Sequence, residues 1–491
     1  MSGRDKRRPP LANRINDLIA TLAPRVALRR EMALAQRRAL ATMSGHYDGA
    51  GRTSRASDFR FNRTDAIEAG RADRSRLSWM SRDMLRNNPR TVRGRRQLVN
   101  HVVGAGIIPS VHALDDDEEV RTRVEAVIRQ HGSARHWDVD GRLSLLGQQA
   151  LGFGTIVSDG EVLFRRRYRR PSDGHPLNFQ VQVLEADFLN EMIDGKLPNG
   201  NTAVQGIEFD GIGRRVAYHI YAQHPGSRWG AMPPTKRVAA ENIIHAFDPV
   251  RPGQQRGVSW FAPVVTLLHE LQKYQDGQVK RQEIAAMFAA VWKTADQPQE
   301  IGELQPGSVL NIGQDDEITW TDPPTVEGYD PFMRVTDRTI AAALGLTYDQ
   351  FTGDTSQSNY TSHRAGRMAT DPNIKDWQQN LMIAQVCDGF ARWIEEGLQD
   401  VEGIDPDAYE IRWTPPARPV VDPTKDVNAD KAEIEAGLAS RREKIRERGK
   451  DPKKVEAEIA EERRAARNAG VGYSTDQNDP PPDEDDEKEG N

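Results

Sequence analysis

A chain of 491 residues with 37% hydrophobic residues and one cysteine can build two or three packed units, but not an intrachain disulfide or a cysteine-rich metal site. Its 67 basic against 73 acidic residues give a net charge of −6, which excludes a protein that grips nucleic acid over its whole surface. No apolar run approaches the roughly 20 residues of a bilayer span, and the N-terminus opens on Arg4, Lys6, Arg7 and Arg8 in place of an apolar leader, so the expectation is a soluble, non-secreted protein with no membrane partner.

Residues 1–44 are basic and helical in pattern, with Leu11, Ile15, Leu18, Ile19 and Leu22 recurring until Pro24. Residues 45–63 read as a linker or extended arm. A helical pair is predicted over 64–103, punctuated at Asn87-Asn88-Pro89 and ended by Gly104 and Gly106. Its arginines, from Arg71 through Arg82 and Arg90 to Arg96, offer a nucleic-acid patch but read better as solvated helix faces left to pair with neighbouring subunits. Helix continues over 112–150, with the acidic cluster Asp115–Glu119 as a solvated turn or helix start. Period-two alternation then predicts strands at Glu161–Tyr168, Gln180–Leu184, Gly206–Phe209, Arg215–Tyr221 and Ile243–Phe247. The turn Asp210–Gly213 makes the middle two a hairpin. The unit is mixed and largely antiparallel, of α+β class.

Val258–Trp292 reads as one helix of about 50 Å. Its ends are apolar and its middle, Gln272–Glu283, is not. Such a helix has to line a solvated surface or pack against copies of itself. A Pro/Gly-punctuated block follows over 295–325, with strands at Ser308–Ile312 and Glu317–Trp320. A second helix covers about 328–344 and stops at Gly345. Tyr348 to Tyr360 reads as a polar loop. Helix resumes near Thr361, and Asp371-Pro372 is predicted to kink or restart it. Trp377, Leu381, Ala384, Phe390 and Ile394 carry its apolar face, with Cys387 buried as a small hydrophobe. Ala429–Ala466 is a charged helical pair broken at Arg448-Gly449, and the acidic run Asp483–Glu489 reads as disordered.

Templates for chemistry fail one after another. Gly195-Lys196 is followed by Leu197, so there is no phosphate-binding loop; Gly152-Phe-Gly154 has Val157 at the third glycine's place and reads as a turn. His269-Glu270 has Lys273 where a second zinc ligand would sit, leaving His269 as a surface or interface residue. Gly257-Val-Ser259 has Phe261 in place of the closing glycine of a nucleophile elbow. The expectation is a protein without catalytic residues, cofactor or metal.

The run Arg256-Gly-Val-Ser-Trp-Phe-Ala-Pro263, then Pro306-Gly307, Asp322-Pro-Pro324, Ala341–Leu346 and above all Gly353-Asp-Thr-Ser-Gln-Ser-Asn-Tyr-Thr-Ser-His-Arg364 resemble the lambda-type family of phage portal proteins. Arg82–Pro89, Val103–Pro109, Asp422–Lys425 and Gly437–Glu443 fit as well, so the likeness runs in order from about 45 to 465. His363 and Pro372 depart from the pattern. The resemblance implies a portal fold, with a mixed α/β wing, long helical stem, small α/β clip and helical crown. It divides the chain into a basic arm (1–44), wing (45–257), first stem helix (258–292), clip (293–326), second stem helix (327–346), tunnel loop (347–360), long kinked wing helix (361–412), crown helices (413–468) and acidic tail (469–491).

It further implies a homo-oligomeric ring, typically of twelve copies, at one vertex of the virion capsid. Its partners would be a terminase large subunit, a head–tail adaptor, the major capsid protein, scaffold, and the double-stranded DNA in its channel. A non-enzymatic capsid connector or scaffold protein is the alternative. Candidates to face the DNA are Lys273, Lys280 and Arg281 on the polar helix middle, and Gln357, Asn359 and Tyr360 in the loop. Lys273 and Lys280, seven apart, share a face. The competing reading pairs the basic residues with a neighbouring subunit and gives Asn359 and Tyr360 the role of capping the next helix.

Overall fold

The computed structural model describes Met32 and residues 64–113, 117–227, 232–287, 290–293, 317–320, 328–418 and 422–471. The rest of the basic arm, the linker 45–63, the strand Ser308–Ile312 and the acidic run lie outside them. From Asp65 onward the chain is one unit.

It begins with α1 (Ala66–Arg71), α2 (Arg74–Asn87) and α3 (Pro89–Val102). The break between the last two follows from the sequence: Asn88 accepts from the backbone N–H groups of Arg90 and Thr91, and Pro89 sits at the first helical position, where no N–H is needed. Gly104 and Gly106 then turn the chain with φ of +53° and +127°. β1 (Ile108–Ala113) pairs antiparallel with Tyr409–Thr414, which is β12 in chain order. Both ends of that pairing correct the sequence reading, which had helix from 112 and up to 412. Asp117 caps α4 (Glu118–His131) by accepting from Glu119 and Val120, so the described part of the acidic cluster, Asp117–Glu119, is a helix start.

The short α5 (Ala134–Trp137) leads to α6 (Leu145–Asp159), which is buried along most of its length. Here the turn expected at Gly152-Phe-Gly154 is corrected to mid-helix. A Cβ on Gly152 would lie 2.2 Å from the Phe164 ring, and one on Gly154 2.2 Å from the Arg95 guanidinium. These glycines let a helix lie directly on its neighbours.

Strands follow as predicted. β2 (Glu161–Tyr168) pairs on one side with β3 (Phe179–Leu184) and on the other with Ile243–Phe247, β9, in a three-stranded antiparallel sheet. β4 (Gly195–Lys196), β5 (Thr202–Val204), β6 (Ile207–Phe209), β7 (Arg215–Tyr221) and β8 (Thr235–Ala239) form a second sheet in sequence order, with β6 and β7 joined at Asp210–Gly213. The main core gathers Trp137, Phe153, Phe164, Phe390 and Trp393 between the first sheet and the helices.

The long helix, α7, runs Val265–Met287. It starts seven residues later than predicted, because the Gly257–Pro263 segment is spent in turns, and spans about 34 Å. Ala290–Trp292, expected as its last turn, instead belong to strand β10 (Ala290–Lys293), paired antiparallel with β11 (Glu317–Trp320). α8 (Tyr329–Ala343) ends at Gly345, with φ +68°. The expected loop contains a short helix, α9 (Tyr348–Thr352), because Thr347 and Gln350 form a capping box and Gly353 closes it left-handed.

α10 (Tyr360–Asp376) continues without restart through Pro372, since Thr370 and Ile374 on either side are held by burial. It runs into a π-helical stretch, Trp377–Cys387, and then α11 (Asp388–Leu398). Within that stretch the Asp388 N–H donates to Ile383 C=O, five residues back. Leu381-Met382 and Val386-Cys387 are buried while Ala384, expected on the apolar face, is exposed, because the wider turn moves inward positions to a five-residue spacing. Cys387 is buried as predicted. The C-terminal helices are α12 (Pro423–Glu435), α13 (Arg441–Glu447) and α14 (Pro452–Ala469), with Gly449 at φ +72° at the predicted break. No helix among the described residues is long and apolar enough to cross a membrane.

Candidate functional site

The segment that launches α7 is fixed by an ionic hub. Glu161, at the start of β2, accepts from Arg256 Nε at 2.9 Å and Nη2 at 2.6 Å, from the Gly257 N–H at 2.8 Å and from His245 Nε2 at 2.9 Å. Arg74 lies 3.8 Å away and donates to Gln205 and Glu191. Burial alone would raise the Glu161 carboxyl, but Arg256, His245 and Arg74 together hold it well below the usual carboxylate range. Burial pushes His245 down, keeping it a neutral donor. Gly257 is needed here for contact: a Cβ on it would stand 2.0 Å from Gly160 O. Ser259, two residues on, shares its hydroxyl with Ser81 at 2.7 Å, which accounts for it without catalysis.

α7 is rooted by Phe261, Val264, Val265, Leu268 and Leu271, all buried. Past Leu271 the exposed positions are Lys273, Asp276, Gly277, Val279 and Lys280 to Glu283. α8 leans on it through Tyr329, stacked on Tyr274 at 5.8 Å, and Phe332, edge-on at 5.1 Å. Arg90 clasps both helices to α3, donating to Asp337 on α8 at 2.6 Å and to Gln275 on α7 at 2.7 Å. Sequence reasoning missed this clasp; its two charged ends are 247 residues apart, and no local pattern marks either. On the outer turns Val279 (67%), Phe332 (51%) and Val335 (60%) remain exposed beside the charged residues.

The six predicted contact residues are not gathered in one place. Lys273 is exposed and pairs with Glu270 on its own helix at 3.3 Å. Lys280 and Arg281 are exposed on α7. Gln357 is exposed between α9 and α10. Asn359 caps α10: its Oδ1 accepts from the Ser362 N–H at 2.8 Å, and its own N–H donates to Ser362 Oγ at 2.9 Å. Tyr360 opens that helix with Lys425 Nζ 5.1 Å over its ring. The capping alternative therefore accounts for Asn359. His269 is exposed, as expected.

The arginines of the first helices depart from expectation. Arg71 pairs with Glu68 and Asp194, Arg82 with Asp159, Asp187 and Glu185, and Arg90 with Asp337, all within this chain. They were read as spare because their partners lie far along the sequence. Arg86 pairs with Asp83 at 3.5 Å, and with Arg93 and Arg96 it lines an open cavity of about 320 Å³ with no carboxylate in its wall. Glu185, Asp187 and His224 are grouped closely enough to hold a metal, but Arg82 already occupies both carboxylates.

Comparison with known proteins gives the family. The family model of the phage portal protein, lambda family, matches residues 52–378. The chain belongs to the lambda family of phage portal proteins, and its α+β fold is a portal fold. The function that goes with membership is that of a portal connector subunit. A probable portal protein of Halomonas phage phiHAP-1 is 28% identical over 442 residues, covering 84% of each chain. Portal protein B of Escherichia phage lambda is 24% identical over 321 residues, 54% of this chain and 59% of that one. Among solved structures, a chain in the neck of a native gene transfer agent particle, computed with C12 symmetry, has a TM-score of 0.46 at 15% identity, over 78% of this chain and 95% of that chain.

Proposed function

We propose that copies of this chain close into a ring, of twelve by family resemblance, with a central channel at one capsid vertex through which double-stranded DNA is packaged and later ejected. The observation that carries this is the stem pair. α7 leaves its own core after Leu271 with charged residues and Val279 outward, and α8 exposes Phe332 and Val335 beside it. A monomer leaves that face unfinished; a ring covers its apolar part and leaves the polar part to the lumen.

Lys273, Lys280 and Arg281 on α7, with Gln357 and Tyr360 near the start of α10, line the channel in this reading; Asn359 serves as the cap. Ring closure repeats each side chain around the axis, so a single lysine becomes a belt of positive charge. With an overall net charge of −6, sparse belts attract the duplex without arresting it. Work comes from a separate terminase ATPase, and a head–tail adaptor, the major capsid protein and scaffold complete the partners, all within the virion vertex. The chain itself turns over no nucleotide and cuts no DNA.

Solution mass and a negative-stain image test the ring. A closed ring with a central hole is expected; a monomer or two-fold dimer at every soluble concentration overturns it. The double substitution Lys273→Gln/Lys280→Gln then separates the roles: rings that assemble normally but package or retain DNA differently put the lysines in the channel, whereas failed assembly puts them between subunits.

A further inference from the structure

Cations on the C-terminal helices are mostly matched where they stand. Arg448 is held by Asp430 at 2.5 Å, Lys431 by Glu435 at 3.7 Å, and Lys444 by Glu433 and Glu447. One place differs. Between α13 and α14 lies a groove of about 650 Å³ whose wall carries Arg441, Arg464 and Arg467 and a single carboxylate, Glu456. That carboxylate is already bonded to Arg442 at 3.1 Å. On α14, Ile459 and Ala460, then Arg463 and Arg464, then Arg467 follow at three- and four-residue steps, so they share one face. Arg441, Arg464 and Arg467 are exposed. The negative end of the α14 dipole favours arginine in the last turn, but a fraction of one charge does not balance three.

The same chain carries the complement. Residues 472–491 hold eight acidic residues and one lysine, six of the acids within Asp483–Glu489. Eleven residues separate Val471 from Asp483, a reach of up to about 40 Å when extended. The arginine face from Ile459 to Arg467 is only about 12 Å long. Tethering so close gives the acidic run an effective concentration in the millimolar range, at which even screened pairing fills the groove.

We propose that the α13–α14 groove is the docking site of the acidic segment Asp483–Glu489, supplied by the same chain or by its neighbour, and that this segment screens the arginines from DNA. The docking stands on charge and reach alone; only its use, keeping the duplex from sticking, rests on the portal reading.

The test compares three proteins for binding of a duplex of about 20 base pairs at about 50 mM salt. They are the full chain, a chain ending at Val471, and that shortened chain with Arg441→Gln, Arg464→Gln and Arg467→Gln. Shortening is expected to tighten binding about tenfold, the triple substitution to abolish the gain, and a free peptide of residues 472–491 to reverse it. The same acids changed to Asn and Gln in the full chain should reproduce the gain, which guards against a truncated protein that misfolds. Unchanged affinity on removing the acids, or a gain that survives the triple substitution, overturns the proposal. Solution mass on the same samples keeps the two readings apart: a gain that depends on the arginines without rings sinks the portal reading and leaves the docking, and rings without a gain do the reverse.

Discussion

The hub around Glu161 and the outer turns of α7 are both densely charged, yet their charges find partners in different places. At the hub Arg74, Glu161, His245 and Arg256 come from four separate segments and satisfy one another almost wholly out of water. On α7 beyond Leu271, Lys273 finds Glu270 on its own helix, and Lys280, Arg281 and Glu283 face outward. Buried charges have to be closed within the chain, because an open one is strongly destabilising. Exposed ones are weakly coupled and remain available to another molecule. One region therefore fixes where the stem starts, and the other is left for whatever surrounds it.

The most severe way to break this contrast is Glu161→Gln. It strands Arg256 beside Arg74 in a dry site, and a loss of about 3–5 kcal/mol is expected in urea unfolding. Lys280→Gln in the same assay should change stability by less than about 0.5 kcal/mol. A hub variant as stable as the stem variant would erase the distinction.

A pH series sharpens it. His131 packs edge-on against Trp137 and Phe179, neither ring nitrogen has a hydrogen-bond partner, and burial pushes its pKa down to about 3. The folded value lies below the unfolded one of about 6.5, so this contribution to stability is whole above pH 6.5 and is lost as pH falls towards 3, at up to about 1.4 kcal/mol per unit. His131→Phe should flatten the decline between about pH 6 and 4 and cost little at neutral pH. An unchanged slope would show that His131 is not what titrates.

Two glycines give effects smaller than that of the hub and opposite in sign to each other. A Cβ at Gly257 meets Gly160 O at 2.0 Å, whereas one at Gly277, midway along α7, meets nothing within 4 Å. Gly257→Ala should cost about 1–3 kcal/mol, and Gly277→Ala should add about 0.5–1 kcal/mol by removing backbone freedom from a helix. Thermal melting of the two variants shows whether the signs differ.

What the sequence made legible was local. Asn88-Pro89, the strands from Glu161 to Phe247, the hairpin at Asp210–Gly213 and the stop at Gly345 all follow from propensity and capping within a few residues. What it hid was closed over distance. β1 holds Pro109 opposite Trp413, a pairing that no window could foresee, and the partner strand was absorbed into a predicted helix. Gly152 and Gly154 suggest a turn until Phe164 and Arg95 are seen to need the room. Of the candidate contact residues, Asn359 could be assigned from sequence alone, because Ser362 three positions on completes a capping box. For Lys273, Lys280 and Arg281 the pattern gave exposure and face, while the one partner the structure gives, Glu270 for Lys273, lies on the same helix.

The π-helical stretch Trp377–Cys387 carries a consequence for how this chain can change length. Its inward pairs repeat every five residues, so it holds more chain per turn than the α-helical segments on either side. Removing one residue there restores the ordinary winding while the flanking helices keep their course, and inserting one extends a distortion the core already accommodates. A one-residue deletion there is expected to cost less stability than the same deletion in α3 or α6, which urea unfolding of the three variants would show.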